Sequence, residues 1–349
     1  MLFRSEAMSI RTSFIQKLPF VLKKYRFYLP LFPAAVNSMD LGEYDLVISL
    51  SHCVAKAATP PEGAEHICYC FTPMRYVWDM YEHYFGKGRG GIAAKIMPLI
   101  APGLRRWDRK IAGRVSRFVA ISKCVRERIK RIYGRDSDVI HPPVDCEKFG
   151  PVGEVRDYYL IVSAFAPYKR IDIAIEAFKN SGRPLKIIGT GQDEAALRAM
   201  AADNIEFLGR RSDEELAKYY SGCRAFIFPG EEDFGITPLE AQACGRPVIA
   251  FGRGGALETV VAPGESGNVE PTGMFFREQT SEALNAAIDD FENREDMFNP
   301  DAARQNALRF DRRIFKQKIQ DYLRVHIQLP PDRTEHGGAP TASSRIRTR

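Results

Sequence analysis

The chain has no run of the about 18 apolar residues that a bilayer-crossing helix needs. Its start, Met1-Leu-Phe-Arg-Ser-Glu6, meets charge before a signal-peptide core can form. Both absences predict a cytoplasmic protein. The seven cysteines, at 53, 68, 70, 124, 146, 223 and 244, form no Cys-x-x-Cys pair and are odd in number. That argues against a zinc site and against a secreted disulfide framework, and reads as reduced thiols. Repeats with a period of roughly 20–50 residues are also missing, which leaves out solenoids and propellers. With 45% hydrophobic and 27% charged residues, neither wholesale disorder nor a fibrous repeat fits.

What is present is enough chain for two cores: 349 residues against about 150 per domain. Charge divides unevenly between the halves. Residues 1–150 hold 24 Lys/Arg against 14 Asp/Glu, and residues 151–349 hold 26 against 30. A basic half suits nucleic acid, an anionic membrane or a phosphorylated substrate, but no nucleic-acid motif accompanies it, so nucleic acid is set aside as a partner. Two basic, apolar segments, Lys17–Leu31 and Lys95–Arg117 with Trp107, suit either a membrane surface or burial in the core.

From residue 151 onward, strand-like runs at Tyr159–Ser163, Leu185–Gly189, Ile205–Leu208, Ala225–Pro229 and Val248–Phe251 alternate with helical stretches. That pattern predicts a doubly wound parallel α/β sheet. The front half, with strands expected at Leu46–Ser49, His66–Cys70 and Phe118–Ala120, reads as a second α/β domain. Val139-Ile-His-Pro-Pro-Val-Asp145 stops any helix, placing a boundary near 150: a front domain over 1–150, a back domain over 151–325 and a polar, disordered tail over 326–349.

Chemistry concentrates in Phe228-Pro-Gly-Glu-Glu-Asp-Phe-Gly-Ile-Thr-Pro-Leu-Glu-Ala241. A strand followed by a helix there aims the backbone N–H groups of Gly235, Ile236 and Thr237 at an anion such as a diphosphate. Glu232 and Glu240 flank the turn, although Thr237-Pro-Leu-Glu240 also reads as a plain capping box. Lys169 and Arg170 follow the first back-domain strand at a carboxyl edge, where ligands bind in α/β sheets; the alternative is a solvated basic pair. Gly189 and Gly191 form a glycine-rich turn at a third edge, and Gly254-Gly255 allow a close backbone approach or simply a turn. In the front half, Thr72-Pro-Met-Arg-Tyr-Val-Trp-Asp79 places Arg75, Trp78 and Asp79 after a strand. Asp136-Ser-Asp138 imitates an Asp-x-Asp metal motif but reads as a solvated turn, so no metal site is assigned.

In this order, the segments resemble the donor-binding domain of family-four retaining glycosyltransferases. Phe234-Gly235, Leu239-Glu240-Ala241 and Gly245-x-Pro247-Val248 also fall where that family has them. The resemblance implies a GT-B fold of two facing Rossmann-like domains. It further implies that Lys169 and Arg170 grip the donor's diphosphate, that Glu232 contacts the hexose, and that Glu240 contacts the ribose. Thr72-Pro-Met-Arg-Tyr76 is similar to mannosyltransferases that build bacterial O-antigens and exopolysaccharides. This implies GDP-mannose as donor substrate, no separate cofactor, and a lipid-linked or glycan acceptor held near Arg75, Trp78 and Asp79 at the cytoplasmic membrane face.

Three departures from the family pattern stand out. Phe71 occupies the place of a histidine, Ala164 that of an arginine, and the start resembles a segment well inside the family's first domain. The front domain is therefore expected to lack its opening strands, and the chain to bind donor while transferring little. Two rivals share the architecture: a nucleotide-sugar-binding protein without catalysis and a nucleotide-sugar 2-epimerase.

Overall fold

Two parallel sheets carry the structure, a computed structural model that describes residues 10–21, 28, 30–79, 81, 92–264 and 270–327. The front sheet contains β1 (Leu46–Ser51), β2 (Glu65–Cys70), β3 (Arg117–Ala120) and β4 (Ser137–Val139), in the order β1-β2-β3-β4. The back sheet contains β5 (Tyr159–Val162), β6 (Leu185–Ile188), β7 (Ile205–Gly209), β8 (Phe226–Phe228), β9 (Val248–Phe251) and β10 (Gly273–Phe276). Its order is β10-β9-β8-β5-β6-β7, all parallel.

Each strand read from the sequence is present. Leu160, Ile161, Ile187, Phe226, Ile227 and Ile249 are buried, as strands covered on both faces require. β4 is an addition, since the expected turn at Asp136–Asp138 is instead an edge strand from Ser137. Asp136 itself is exposed and paired with Lys130 at 2.8 Å.

The helices are α1 (Phe32–Asn37), α2 (Ile92–Ala112), α3 (Lys123–Tyr133), α4 (Ile171–Ser181), α5 (Glu194–Met200), α6 (Asp213–Gly222), α7 (Ile236–Ala243), α8 (Ala256–Thr259), α9 (Ser281–Asn293), α10 (Pro300–Leu308) and α11 (Arg312–Ile327). The basic segment around Trp107 is α2. Its Met97 and Ala101 are buried against Cys53, Met74 and Val77, so that face belongs to the core, although Leu99 stands exposed. Of Lys17–Leu31, residues 22–27 and 29 lie outside the described residues, as does the tail from 328. Among the described residues, no helix is long and apolar enough to cross a membrane.

The chain crosses between the sheets twice. Val144 bridges Asp311 in parallel, and the Val144 N–H donates to the Phe310 carbonyl at 2.9 Å. After the second crossing, α11 returns to the front layer, where Phe315 meets the Tyr69 ring at 5.9 Å. One buried apolar cluster accordingly runs from Ile67 and Tyr69 through Ile140 to Leu160, Leu239 and Phe310.

Inside the front domain, Lys56 and Asp108 form an ion pair of 2.6 Å with neither side chain exposed. Asp108 also accepts from Trp78 Nε1 at 2.8 Å and from the Tyr133 hydroxyl at 2.7 Å, while Lys56 donates to the Cys53 carbonyl at 2.7 Å. Removing one partner of such a pair leaves the other buried and uncompensated. Lys56→Met is therefore expected to lower unfolding free energy by about 3–5 kcal/mol in urea melts at neutral pH. A loss below about 1 kcal/mol would contradict a structural role for the pair.

Candidate active site

In the back sheet the strand order reverses between β5 and β8, and in α/β sheets ligands bind outside the carboxyl ends at such a point. The loop after β5 carries Lys169, and the loop after β8 carries Glu232. The front sheet presents its own carboxyl ends opposite: His52 follows β1, Phe71 to Arg75 follow β2, and Ile121 follows β3. Between them lies a cavity of about 660 Å3.

Local conformation aims the β8 loop. Gly235 takes a φ of 89° as the N-cap of α7, with no side chain capping it. The helix therefore starts before Thr237, and the capping box expected of Thr237 and Glu240 does not form. Ile236 and Thr237 supply the first-turn amides, which have no intrahelical partner, and Gly235, Ile236 and Thr237 all line the cavity. The loop is pinned from behind by Gly254 and Gly255. A Cβ at Gly255 would lie 2.2 Å from the Phe234 Cα, and the Gly255 N–H donates to the Glu232 carbonyl at 2.8 Å. The backbone these glycines admit is therefore the chain's own.

Lys169 and Glu232 meet in an ion pair across the switch point, each about one-fifth exposed or less. Arg170 does not join them. At a φ of 52° its guanidinium turns along α4, bonding Asp172 at 3.1 Å and the Gln279 side-chain oxygen at 3.2 Å, beside a side pocket rather than in the main cavity. Glu240 likewise turns inward. Its Oε2 accepts from the buried Tyr220 hydroxyl at 2.7 Å, and burial raises its carboxyl above the usual range, against the opposing effect of that hydrogen bond.

Gly189 and Gly191 serve packing. A Cβ on either would fall 1.8 Å or 2.3 Å from the carbonyls of Ser163 and Phe165, and neither glycine lines the cavity. Of the three front residues, Arg75 faces the cavity and Asp79 the side pocket. Trp78 points away, bonded to Asp108 and covered by Arg105 and Arg109, 5.4 and 4.8 Å from its ring.

Several site residues escape sequence reasoning. Asp233, 8% exposed, takes guanidiniums of both Arg75 and Arg128 from the opposite domain. His52 lines the cavity, and burial, then Arg75, then Lys56, hold its imidazole below the usual value. Glu258 on α8 accepts the N–H groups of Lys123 and Cys124 at 2.9 and 3.2 Å and pairs with His141 at 3.0 Å, tying the start of α3 to the back domain. Carboxylates are favoured at such helix starts. Among the described residues, no group of three or more His, Cys, Asp or Glu side chains is placed to hold a metal.

Residues 147–309 match the family of glycosyl transferases group 1. That match covers a little under half of the chain, centred on the back domain. A GDP-mannose-dependent phosphatidylinositol monomannoside mannosyltransferase of Corynebacterium glutamicum is 32% identical over 46% of this chain and 50% of its own length. The O-antigen chain mannosyltransferase C of Escherichia coli is 32% identical over 41% of this chain and 39% of its own. The chain thus spans about half the length, or less, of these curated relatives. Sucrose-phosphate synthase of Thermosynechococcus elongatus superposes with a TM-score of 0.69 at 18% identity, over 88% of this chain and 80% of that one. The two facing parallel-sheet domains are the GT-B fold.

Glu258 supplies a pH test. Burial alone would raise its carboxyl, yet the hydrogen bonds from His141 and the two amides outweigh it and hold the group below its ordinary value of 4.5. A carboxyl lowered on folding stabilises the protein above its unfolded value, and that contribution fades as pH falls through the folded value. The stability gap between wild type and Glu258→Ala should be full at pH 6 and above and shrink progressively below about 4.5 in thermal melts. A gap constant down to pH 3 would contradict a stabilising role for the Glu258 hydrogen bonds to His141 and the α3 amides.

Proposed function

We propose that this chain is a family-four retaining glycosyltransferase that moves mannose from GDP-mannose to a lipid-linked or glycan acceptor, as in bacterial surface polysaccharide synthesis at the cytoplasmic membrane face. The single observation that carries the reading is the Lys169–Glu232 pair at the β5/β8 switch point, beside the start of α7 and facing the front domain across the cavity. The names of the two mannosyltransferase relatives support the choice of sugar.

In this reading the donor's diphosphate takes the place of Glu232 on Lys169, with the α7 amides completing its cradle. The released Glu232 then accepts from sugar hydroxyls. As the bond from the anomeric carbon to the phosphate oxygen breaks, the diphosphate gains negative charge. A cation and helix amides already aimed there stabilise that state more than the bound donor. The acceptor hydroxyl oxygen attacks the anomeric carbon from the face the diphosphate leaves, which retains configuration, and its proton passes to the departing diphosphate oxygen. Arg170, held by Asp172, supports the neighbouring loop, and Glu240 is assigned the ribose only through a turn of its side chain off Tyr220.

Calorimetry with GDP tests the assignment. Lys169→Ala removes a charge-assisted hydrogen bond of about 1.5–3 kcal/mol, so GDP affinity should fall roughly 10- to 150-fold with the melting temperature kept. Unchanged affinity would overturn the phosphate role. Glu232→Gln should retain GDP binding while losing transfer of radiolabelled mannose, and binding without transfer by the wild type would favour the nucleotide-sugar-binding rival that Phe71 suggests.

A further inference from the structure

Beside the main cavity, a side pocket of about 200 Å3 opens between the domains. That is several times the roughly 30 Å3 share of one liquid water. Guanidiniums from three separate elements face it: Arg75 after β2, Arg128 on α3 and Arg170 after β5. Donor binding as described above uses Lys169 and α7, and leaves these arginines without a ligand of their own.

Their present partners are internal. Asp233 is shared between Arg75 and Arg128, whose side chains are only 25% and 16% exposed. Asp79 bonds Arg128 at 3.0 Å and Arg131 at 2.7 Å, and Glu231 lies 3.9 Å from Arg128. Arg170 is taken up by Asp172 and Gln279. A guanidinium this deeply placed costs several kcal/mol if left without an anion, so the pocket must always hold one. One anion bridging two planar guanidiniums is the arrangement by which arginines bind phosphate.

We propose that this pocket binds a phosphate group carried by the acceptor, and that Asp233 is the internal anion standing in for it while the cleft is empty. The inference rests on the transfer reading given above, because the pocket adjoins the main cavity through Thr72, Arg75, Tyr168 and Asp233. Arg75 and Arg128 belong to the front domain, opposite Lys169, so an acceptor seated by its phosphate there presents its hydroxyl towards the donor side. When Asp233 swings away, Asp79 remains committed to Arg128 and Arg131, and Glu231 stays at the exposed rim. Arg75 and Arg128 then give up the carboxylate they share, and a phosphate takes its place between them.

The test uses inorganic phosphate as the probe and calorimetry on the full chain saturated with GDP. Wild type should bind phosphate. Asp233→Asn removes the competing carboxylate and should tighten binding about tenfold or more, whereas Arg128→Gln should weaken it by at least as much. Arg75→Gln is the second variant should Arg128→Gln fail to fold. Phosphate affinity unchanged in the arginine variants, or phosphate displaced entirely by GDP, overturns the proposal, the latter because the anion would then belong to the donor. If GDP itself does not bind, the donor reading fails separately. Phosphate titration of Lys169→Ala, with and without Arg128→Gln, still reads the arginine pocket.

Discussion

Three consecutive carboxylates, Glu231, Glu232 and Asp233, stand where the two sheets turn their carboxyl edges to one another, and each meets a cation. Glu232 pairs within its own domain with Lys169, Asp233 reaches across to Arg75 and Arg128, and Glu231 lies 3.9 Å from Arg128. Adjacent like charges repel and cannot be brought into a narrow cleft without such partners. The acidic loop therefore takes its position from both domains at once, and the cavity depends on that balance. Gly254 and Gly255 fix the loop from behind at backbone distance, so the charges can exchange partners while the main chain stays in place.

The domains are joined by more than this cleft. His141 bonds Glu258 while stacking on Phe234, at 5.3 Å between ring centroids. Thus the residue after the acidic run is packed by a histidine from the first interdomain crossing. The second crossing leads into α11, which lies on the front layer through Phe315. Any opening of the cleft must hinge about these crossings, where Asp145 pairs with Arg312 at 2.7 Å. Loss of the Asp233 contacts would loosen the front wall of the cleft relative to the back wall without disturbing the back sheet.

Much of this architecture is written in the chain's local pattern. Short runs of Ile, Val and Phe, each followed by a helical stretch, mark β5 to β9, and the strand-to-helix turn at Phe228–Ile236 marks the site loop. Other elements escape for physical reasons. β4 is three residues long and begins Ser-Asp, so no apolar period betrays it. α11 is amphipathic, but its partner surface is some 250 positions upstream in the front sheet. Lys169, Glu232, Gly235, Ile236, Thr237 and Arg75 reach the cavity as their motifs suggest. Trp78 does not, because an indole with a donor prefers the buried Asp108 carboxylate, and Gly189 and Gly191 are spent on close strand packing. Asp233 and Arg128 stand 105 positions apart, and no spacing rule pairs them.

Where the nucleotide binds decides the role of the cleft. A crystal structure of the full chain with GDP should place a diphosphate oxygen about 2.7–3.2 Å from Lys169 Nζ, beside the amides of Ile236 and Thr237, with Glu232 released from the lysine. GDP bound outside the cleft, or bound with the Lys169–Glu232 pair intact, would contradict it.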